Sequence, residues 1–334
     1  MMKAAVYYGP EDIRVEETDL RDLGKNELLI KVKACGICGT DIHIYRGEKG
    51  STAVTPPVIL GHEFSGEVVE VGEGVEHFSP GDRVAVDPNI YCGECSYCQS
   101  GKKQLCRRLN ALGVSRNGGF AEYCIVPAAN AVKMPETVPY EAAALTEPLS
   151  CCLHGIDRAG ISPGQKVAVI GGGAIGLIMT QLALLSGASS VMVSEPVKKR
   201  RELALQLGAD RAADPVHETV EADQFDVVIE CAGNRKAMET ALKAAKRGGT
   251  VLFFSVPSPD EVLPVRPFDI YEKELTIKGS FINPSAFLRA ADLIAHRRIK
   301  LEPIITHAYP VEDIKTALAM QSSPDAVKVL IRFD

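Results

Sequence analysis

The chain has 334 residues, of which 46% are hydrophobic and 24% charged, and its formal net charge is -6. That is the profile of an ordinary globular protein with room for about two domains and a sizeable core. It excludes an extended basic face for nucleic acid: the densest basic run, Lys198-Lys199-Arg200-Arg201, reads as a solvated helix face. No apolar run approaches the roughly 18 residues of a bilayer span. The N-terminal MMKAAVYYGPEDIRVEE has no signal-peptide core, so the expected location is the cytoplasm, without membrane or nucleic-acid partners. Reducing conditions there turn the 10 cysteines away from disulfides and towards metal binding or catalysis.

Residues 1–149 are rich in Gly, Pro and Val, in short runs such as Leu28-Leu29-Ile30-Lys31-Val32 and Gly66-Glu67-Val68-Val69-Glu70-Val71. These predict short antiparallel strands joined by turns, with Pro80-Gly81-Asp82 as one turn. From about residue 150 the texture changes. Lys166 to Ile170 predicts a buried strand, Ala174 to Ser186 a mostly apolar helix, Val191 to Ser194 a strand and Lys199 to Leu207 a helix. Asp226 to Glu230 and Thr250 to Phe254 continue the series, and strands alternating with helices predict a parallel, doubly wound α/β sheet. After residue 284 a helix from Ser285 to His296 and a final strand from Ala326 to Ile331 are expected. The expected division is therefore 150–284 as one domain, with 1–149 and 285–334 together as the other.

The first strand of the second region runs into Gly171-Gly172-Gly173-Ala174-Ile175-Gly176, a G-x-G-x-x-G pattern between strand and helix. Gly171 suits a tight turn, Gly173 lets backbone approach a pyrophosphate, and Gly176 allows close helix–strand packing, with the helix N-terminus facing the phosphates. Such a pattern alone is also met in plain structural turns. Here it follows a strand, opens a helix, and is followed by an acid, Glu195, at about the expected 20-residue distance. Glu195 would accept hydrogen bonds from ribose hydroxyls and repel a 2′-phosphate, favouring NAD over NADP. The basic run at Lys198-Lys199-Arg200 weakens that preference.

Cys92, Cys95, Cys98 and Cys106 crowd four thiols onto one loop, the donor set of a closed tetrahedral zinc site. A closed site holds a loop in shape but offers no position for substrate. An iron–sulfur cluster is disfavoured by the seven-residue gap and the missing Cys-Pro end. The chemistry must then lie elsewhere. Candidate ligands are Cys38, in Cys35-Gly36-Ile37-Cys38-Gly39-Thr40-Asp41-Ile42-His43, with His62, Glu63 and Glu147. None is diagnostic alone, and spacing does not choose Cys38 over Cys35.

Gly61-His62-Glu63, with Gly66, Gly72 and Val75, reproduces the pattern G-H-E-x2-G-x5-G-x2-V. Together with Gly-Ile-Cys-Gly-Thr-Asp before it, and the cysteine lobe, Gly118-Gly119-Phe120-Ala121-Glu122-Tyr123 and the glycine loop after it, the chain resembles the medium-chain zinc-dependent alcohol and polyol dehydrogenases over nearly its whole length. The resemblance implies a Rossmann domain plus a mainly β, GroES-like catalytic domain, and two zincs per chain. By position it makes Cys38 and His62 ligands of a catalytic zinc. Alcohol dehydrogenases have a cysteine as third ligand, where this chain has Glu147. Glu-Pro-Leu-Ser at 147–150 looks particularly like the sorbitol dehydrogenase version, with threonine dehydrogenases also close. Glu63 is implied as a further ligand, or Glu147 acting through water.

The activity implied is hydride transfer from a secondary alcohol or polyol to NAD, giving a ketone, with Thr40 and His43 relaying the proton through the cofactor ribose. L-Threonine 3-dehydrogenase or butanediol dehydrogenase activity is the alternative, and a non-enzymatic, crystallin-like relative a third. A zincless quinone reductase of the same fold is disfavoured by the cysteine lobe and by Cys38 and His62. Carboxylate in place of thiolate makes a harder zinc environment, so substrates with a neighbouring hydroxyl or amino group are expected. Lys328 falls where the family places a basic residue near the pyrophosphate, Ser255 and Val256 fall near the nicotinamide, and Asp41 and Glu122 are plausible supporting groups. Cys35, Cys124, Cys151, Cys152 and Cys231 read as small buried hydrophobes. Relatives assemble as dimers or tetramers, often through the edge strand near Leu275 to Phe281, and a tetramer is expected.

Overall fold

The computed structural model describes residues 1–50 and 52–334. Two compact units emerge: residues 1–150 with 284–334, and residues 151–283. The chain leaves the first unit within the helix Thr146–Ala159, which the sequence reading did not anticipate. Pro148 looks like a breaker, but it falls in the first turn, where a missing N–H costs nothing.

The first unit is built on the strand Glu27–Gly36, in which Leu28, Ile30, Val32 and Ala34 are fully buried. That period of two sends one face to the core. Glu63–Val71 pairs antiparallel with it, followed outward by Arg83–Val86 and Ala131–Lys133, and Tyr123–Pro127 also pairs with it. Its other neighbour is Lys328–Arg332, antiparallel, which in turn pairs parallel with Ile305–Pro310. A sheet of seven strands thus takes two from the far end of the chain. A separate sheet of three holds Asp12–Thr18, Met2–Gly9 and Val58–Ile59 in that order. Phe64, Phe120, Ile13 and Leu60 are among the largest fully buried side chains between them.

Gly36 lies opposite Glu63 on one side and opposite Leu330 on the other. This register carries Glu63 and the start of the last strand to the same place. That strand begins at Lys328 rather than Ala326, whose N–H is still bonded to Ser323 in the preceding turn. The helix expected from Ser285 starts at Phe287, because Ser285 sits at φ +58° in the left-handed region, which ends helical continuity.

The second unit holds six parallel strands in the order Arg211–Ala213, Ser190–Ser194, Lys166–Ile170, Phe225–Glu230, Ala245–Phe253 and Thr276–Gly279. In chain order this reads 3-2-1-4-5-6, the doubly wound arrangement whose nucleotide crevice lies at the carboxyl ends of the central strands. Val167, Ala168 and Val169, in the first of these strands, are fully buried. The helix Ala174–Leu185 follows that strand, with Leu177, Ile178, Met179, Leu182 and Ala183 buried, as an apolar crossover helix must be. Thr276–Gly279 closes one edge of the sheet. Among the described residues no helix is long and apolar enough to cross a membrane.

Candidate functional site

In the first unit, Cys38 ends the stretch after Gly36 and caps the helix Gly39–Tyr45. Asp41, three residues on, turns its carboxylate back to accept the Cys38 N–H at 2.8 Å, the reciprocal half of a capping box. This fixes the thiol at the helix start. His62 and Glu63 come from the neighbouring segment, where Glu63 begins the strand Glu63–Val71. The donor atoms of Cys38, His62 and Glu63 all lie within 4.8 Å of one another, a spacing from which bonds of about 2.0–2.3 Å to one ion can be made.

The surroundings fit a metal. Asp41 is fully buried, and its Oδ1 lies 3.3 Å from His62 Nδ1. A carboxylate behind a ligand imidazole fixes the ring's tautomer and leaves its other nitrogen for the ion. Burial opposes a charge on His62, but the Asp41 carboxylate and the Cys38 thiolate outweigh it and hold the imidazole well above its ordinary value. A cluster this rich in anionic donors is one a divalent cation would complete. Cys35 is fully buried, and that burial, with Asp41 and Glu63 nearby, pushes its thiol well up, so it stays protonated; of the two cysteines, Cys38 carries the ligand geometry.

Glu147 sits in the first turn of Thr146–Ala159, is 7% exposed, and lies outside the trio. It acts electrostatically on Lys328 together with Glu63 and Cys38. Lys328, expected beside a pyrophosphate, is 5% exposed and forms an ion pair with Glu63. Its Nζ also donates to the Ile37 carbonyl at 3.0 Å. The expectation rested on where the family places a basic residue; here the buried ammonium is paired with a carboxylate, because burying it unpaired would cost several kcal/mol, on the order of its desolvation. Glu122, expected to support the metal, accepts the Lys3 main-chain N–H at 2.8 Å. Thr40 is half-buried in the first turn of Gly39–Tyr45, and His43, also half-buried, holds Glu48 through Nδ1 at 2.5 Å.

Cys92, Cys95, Cys98 and Cys106 form the second cluster, again with all donor atoms within 4.8 Å. Cys92 Sγ lies 3.4 Å from Cys106 Sγ and 3.9 Å from Cys98 Sγ. Zinc–sulfur bonds of about 2.3 Å in a tetrahedron require sulfur separations of about 3.8 Å, so the lobe is preshaped for that ion. Backbone N–H groups of Cys95 and Glu94 pull Cys92 down to about 6, while burial pushes Cys98 up to about 12. Four acids this close need a cation to ionise together.

In the second unit, Gly171 turns at φ +105°, a conformation open to glycine, and donates its N–H to Ser194 at 2.8 Å. A Cβ on Gly176 would stand 1.8 Å from the Gly171 carbonyl oxygen, so strand and helix meet there without side chains. Gly173 caps the helix, and a Cβ on it would meet nothing within 4 Å; Ala174 and Ile175 form the first turn behind it. Glu195 is 4% exposed and accepts the Gly172 N–H at 2.7 Å and the Val197 N–H at 2.8 Å. Oε2 thus ties the glycine turn to the end of the next strand, while Oε1 fixes the carboxylate on its own loop, a clamp that the spacing alone did not reveal. Ser255 donates to the fully buried Glu230, which also accepts the Ala232 and Gly233 N–H groups at 2.7 and 2.8 Å. Val256 follows, 68% exposed. Cys35, Cys124 and Cys152 are buried, whereas Cys151 and Cys231 are only half-buried.

A thiolate–imidazole–carboxylate cluster in one unit and a glycine turn in a 3-2-1-4-5-6 sheet in the other define the class: nicotinamide-dependent, zinc-dependent dehydrogenases. Residues 24–136 match the alcohol dehydrogenase GroES-like domain, and residues 174–296 the zinc-binding dehydrogenase domain. The chain is 34% identical over 342 residues to the sorbitol dehydrogenase of Bacillus subtilis (strain 168), covering 99% of this chain and 97% of that protein. It is 37% identical over 320 residues to an L-threonine 3-dehydrogenase of Bacillus licheniformis, covering 92% of each. A crystal structure described as a zinc-binding dehydrogenase of Sinorhizobium meliloti 1021 bound to NADP superposes with a TM-score of 0.96 at 42% identity, covering 100% of this chain and 99% of that one. The chain therefore belongs to the zinc-dependent alcohol and polyol dehydrogenase family and is an oxidoreductase.

Proposed function

We propose that this chain oxidises a secondary alcohol carrying a neighbouring polar group, a polyol before an amino alcohol, with NAD as hydride acceptor. The observation that carries the reading is the trio Cys38, His62 and Glu63, half-buried at Cys38 and buried at the other two, backed by Asp41. These residues would hold a zinc ion, and Glu147 would be the group to join through water. A zinc held there supplies Lewis acidity to a substrate hydroxyl. Asp41 orients His62, and Cys38 brings the thiolate. Thr40 would hold the hydroxyl's proton, and His43 would pass it towards Glu48 and solvent. The second cluster would hold a structural zinc, giving two per chain. With one thiolate and carboxylates rather than two thiolates, the first centre is oxygen-rich and favours substrates offering a second oxygen or nitrogen.

Gly171, Gly173, Ala174, Ile175 and Gly176 would cradle the pyrophosphate, with Ser255 and Val256 towards the nicotinamide. Glu195 supports NAD, because its buried carboxylate, held by the Gly172 and Val197 N–H groups, would meet a 2′-phosphate. The NADP bound to the Sinorhizobium meliloti protein makes the opposite preference the outcome to test for. We further propose a cytoplasmic homo-oligomer, a tetramer or a dimer. The edge strand Thr276–Gly279 and the exposed Phe268, Tyr271, Ile277 and Phe281 near it support a surface for a second copy. Reduced cofactor is to be followed with sorbitol, xylitol, 2,3-butanediol, threonine and ethanol, each with NAD and NADP. Turnover highest on a vicinal diol or polyol with NAD is expected. Ethanol as best substrate would remove the substrate reading, and a preference for NADP the cofactor reading.

A further inference from the structure

We propose that Glu230 is a positioning residue for the nicotinamide mononucleotide half of the cofactor, fixing Ser255 and the 231–233 turn as one rim. The proposal rests on the dinucleotide reading above and deepens it. A doubly wound sheet receives the two mononucleotide halves at the carboxyl ends of its strands, one on either side of the point where the strand order reverses. Here that point lies between Lys166–Ile170 and Phe225–Glu230. Glu195 follows Ser190–Ser194, on the adenosine side. Glu230 ends Phe225–Glu230 and opens the other side. It is fully buried, so it reaches a ligand only through the groups it holds.

The backbone ladder runs out at this edge. The Cys231 N–H still reaches the Ile170 carbonyl at 2.8 Å, and the Phe254 and Ser255 N–H groups both reach the Glu230 carbonyl, at 3.0 and 3.2 Å. Past Cys231 the main-chain donors need another acceptor. The Glu230 side chain is that acceptor: Oε1 takes the Ala232 and Gly233 N–H groups at 2.7 and 2.8 Å, and Oε2 takes the Ser255 hydroxyl. With Gly233 at φ +74°, two successive N–H groups converge on one oxygen, the concavity that backbone offers to anions. The chain fills it with a side chain of its own. The turn so held lies against both neighbours. A Cβ on Gly171 would stand 3.0 Å from the Ala232 nitrogen, and one on Gly233 would stand 3.5 Å from Ser255 Cβ. Removing the Glu230 side chain frees two N–H groups and a hydroxyl on this side of the crevice. The adenosine side keeps its own tie, Glu195 on the Gly172 and Val197 N–H groups.

The test compares calorimetric titration of full-length protein with NADH and with AMP, which carries the adenosine half alone. In Glu230→Ala the NADH dissociation constant should rise on the order of tenfold, the effect of orphaning donors that a bound ligand needs in place, while the AMP constant stays at the wild-type value. Ser255→Ala removes one arm of the rim and should give a smaller rise of the same kind; it carries the comparison if Glu230→Ala does not fold. Glu230→Gln keeps the shape: its carbonyl oxygen can accept both N–H groups and its NH2 can donate to Ser255 Oγ, so NADH affinity should return to near wild type. AMP weakened in step with NADH, wild-type NADH affinity in Glu230→Ala or in Ser255→Ala, or Glu230→Gln as weak as Glu230→Ala would overturn the proposal. Wild-type protein that binds neither NADH nor NADPH would overturn the dinucleotide reading itself, a distinct result.

Discussion

Replacing Asp41 with asparagine tests the metal centre through a residue that touches no substrate. Asp41 is fully buried, and its Oδ2 accepts the Cys38 N–H at 2.8 Å while Oδ1 faces His62 Nδ1 at 3.3 Å. An asparagine of the same shape keeps one of those contacts. If its oxygen stays on the Cys38 N–H, its NH2 group points at His62 Nδ1. The ring must then accept there, which moves its proton to the nitrogen needed for the metal. Two full charges 3.3 Å apart interact by about 5 kcal/mol at an effective dielectric of 20, but a metal-bound imidazole carries only part of a charge. Outer-shell partners of this kind are worth about 10–100-fold in metal affinity, or about 1.4–2.8 kcal/mol. Competition with a chelator, followed by metal analysis, should show that loss at the catalytic centre alone. Asp41→Asn protein that holds both metals as tightly as wild type would refute the role given to Asp41. Loss of both metals in parallel would show instead a general loosening of the fold.

Three shorter predictions follow from other parts of the molecule. Gly176→Ala places a methyl 1.8 Å from the Gly171 carbonyl oxygen, so the turn must move; thermal unfolding should show about 1–3 kcal/mol lost, and titration should show weakened NAD binding with both metals retained. Cys98→Ser breaks the four-thiol set, and metal analysis should fall from two zincs to one per chain, with the Cys38 centre still loaded. Asp226 gives a pH signature: burial raises its carboxyl, but Lys246 and the Lys166 N–H outweigh that and bring it below the ordinary aspartate value of 3.8. A depressed folded-state pKa stabilises above that ordinary value and loses the contribution as pH falls through the folded one. Asp226→Asn should therefore lower stability at neutral pH and flatten its decline in acid, as read from denaturant unfolding at several pH values.

The parts of this molecule that were legible in sequence are those where one local physical rule dominates. The parallel strands Lys166–Ile170, Ser190–Ser194 and Phe225–Glu230 are buried on both faces, so each reads as a continuous apolar run. The helix Ala174–Leu185 announces itself by apolar residues on most sides and by the glycines before it. The cysteine lobe is equally plain, because four ligands on one loop leave their spacing in the chain. Less visible were the helix Thr146–Ala159, where Pro148 imitates a breaker, and the late start of Phe287–Ala295, which a left-handed Ser285 imposes. Neither is a matter of propensity; both are set by where the chain must turn.

The Cys38, His62 and Glu63 cluster lies on the other side of that line, because its parts are assembled by sheet register. Cys38, Glu63 and Lys328 are up to 290 positions apart, and only the pairing of Glu27–Gly36 with both Glu63–Val71 and Lys328–Arg332 brings them together. A motif can name His62 and Glu63 as neighbours, yet nothing local tells a solvated strand lysine from one drawn inward by a buried glutamate. Gly36 carries a faint signal, since a glycine inside an otherwise alternating strand marks a close approach. A bulkier residue at that position would keep the strand but push the glutamate and the lysine apart. The same feature that hides the site from the sequence sets where Glu63 and Lys328 stand: both begin strands that pair with the end of Glu27–Gly36.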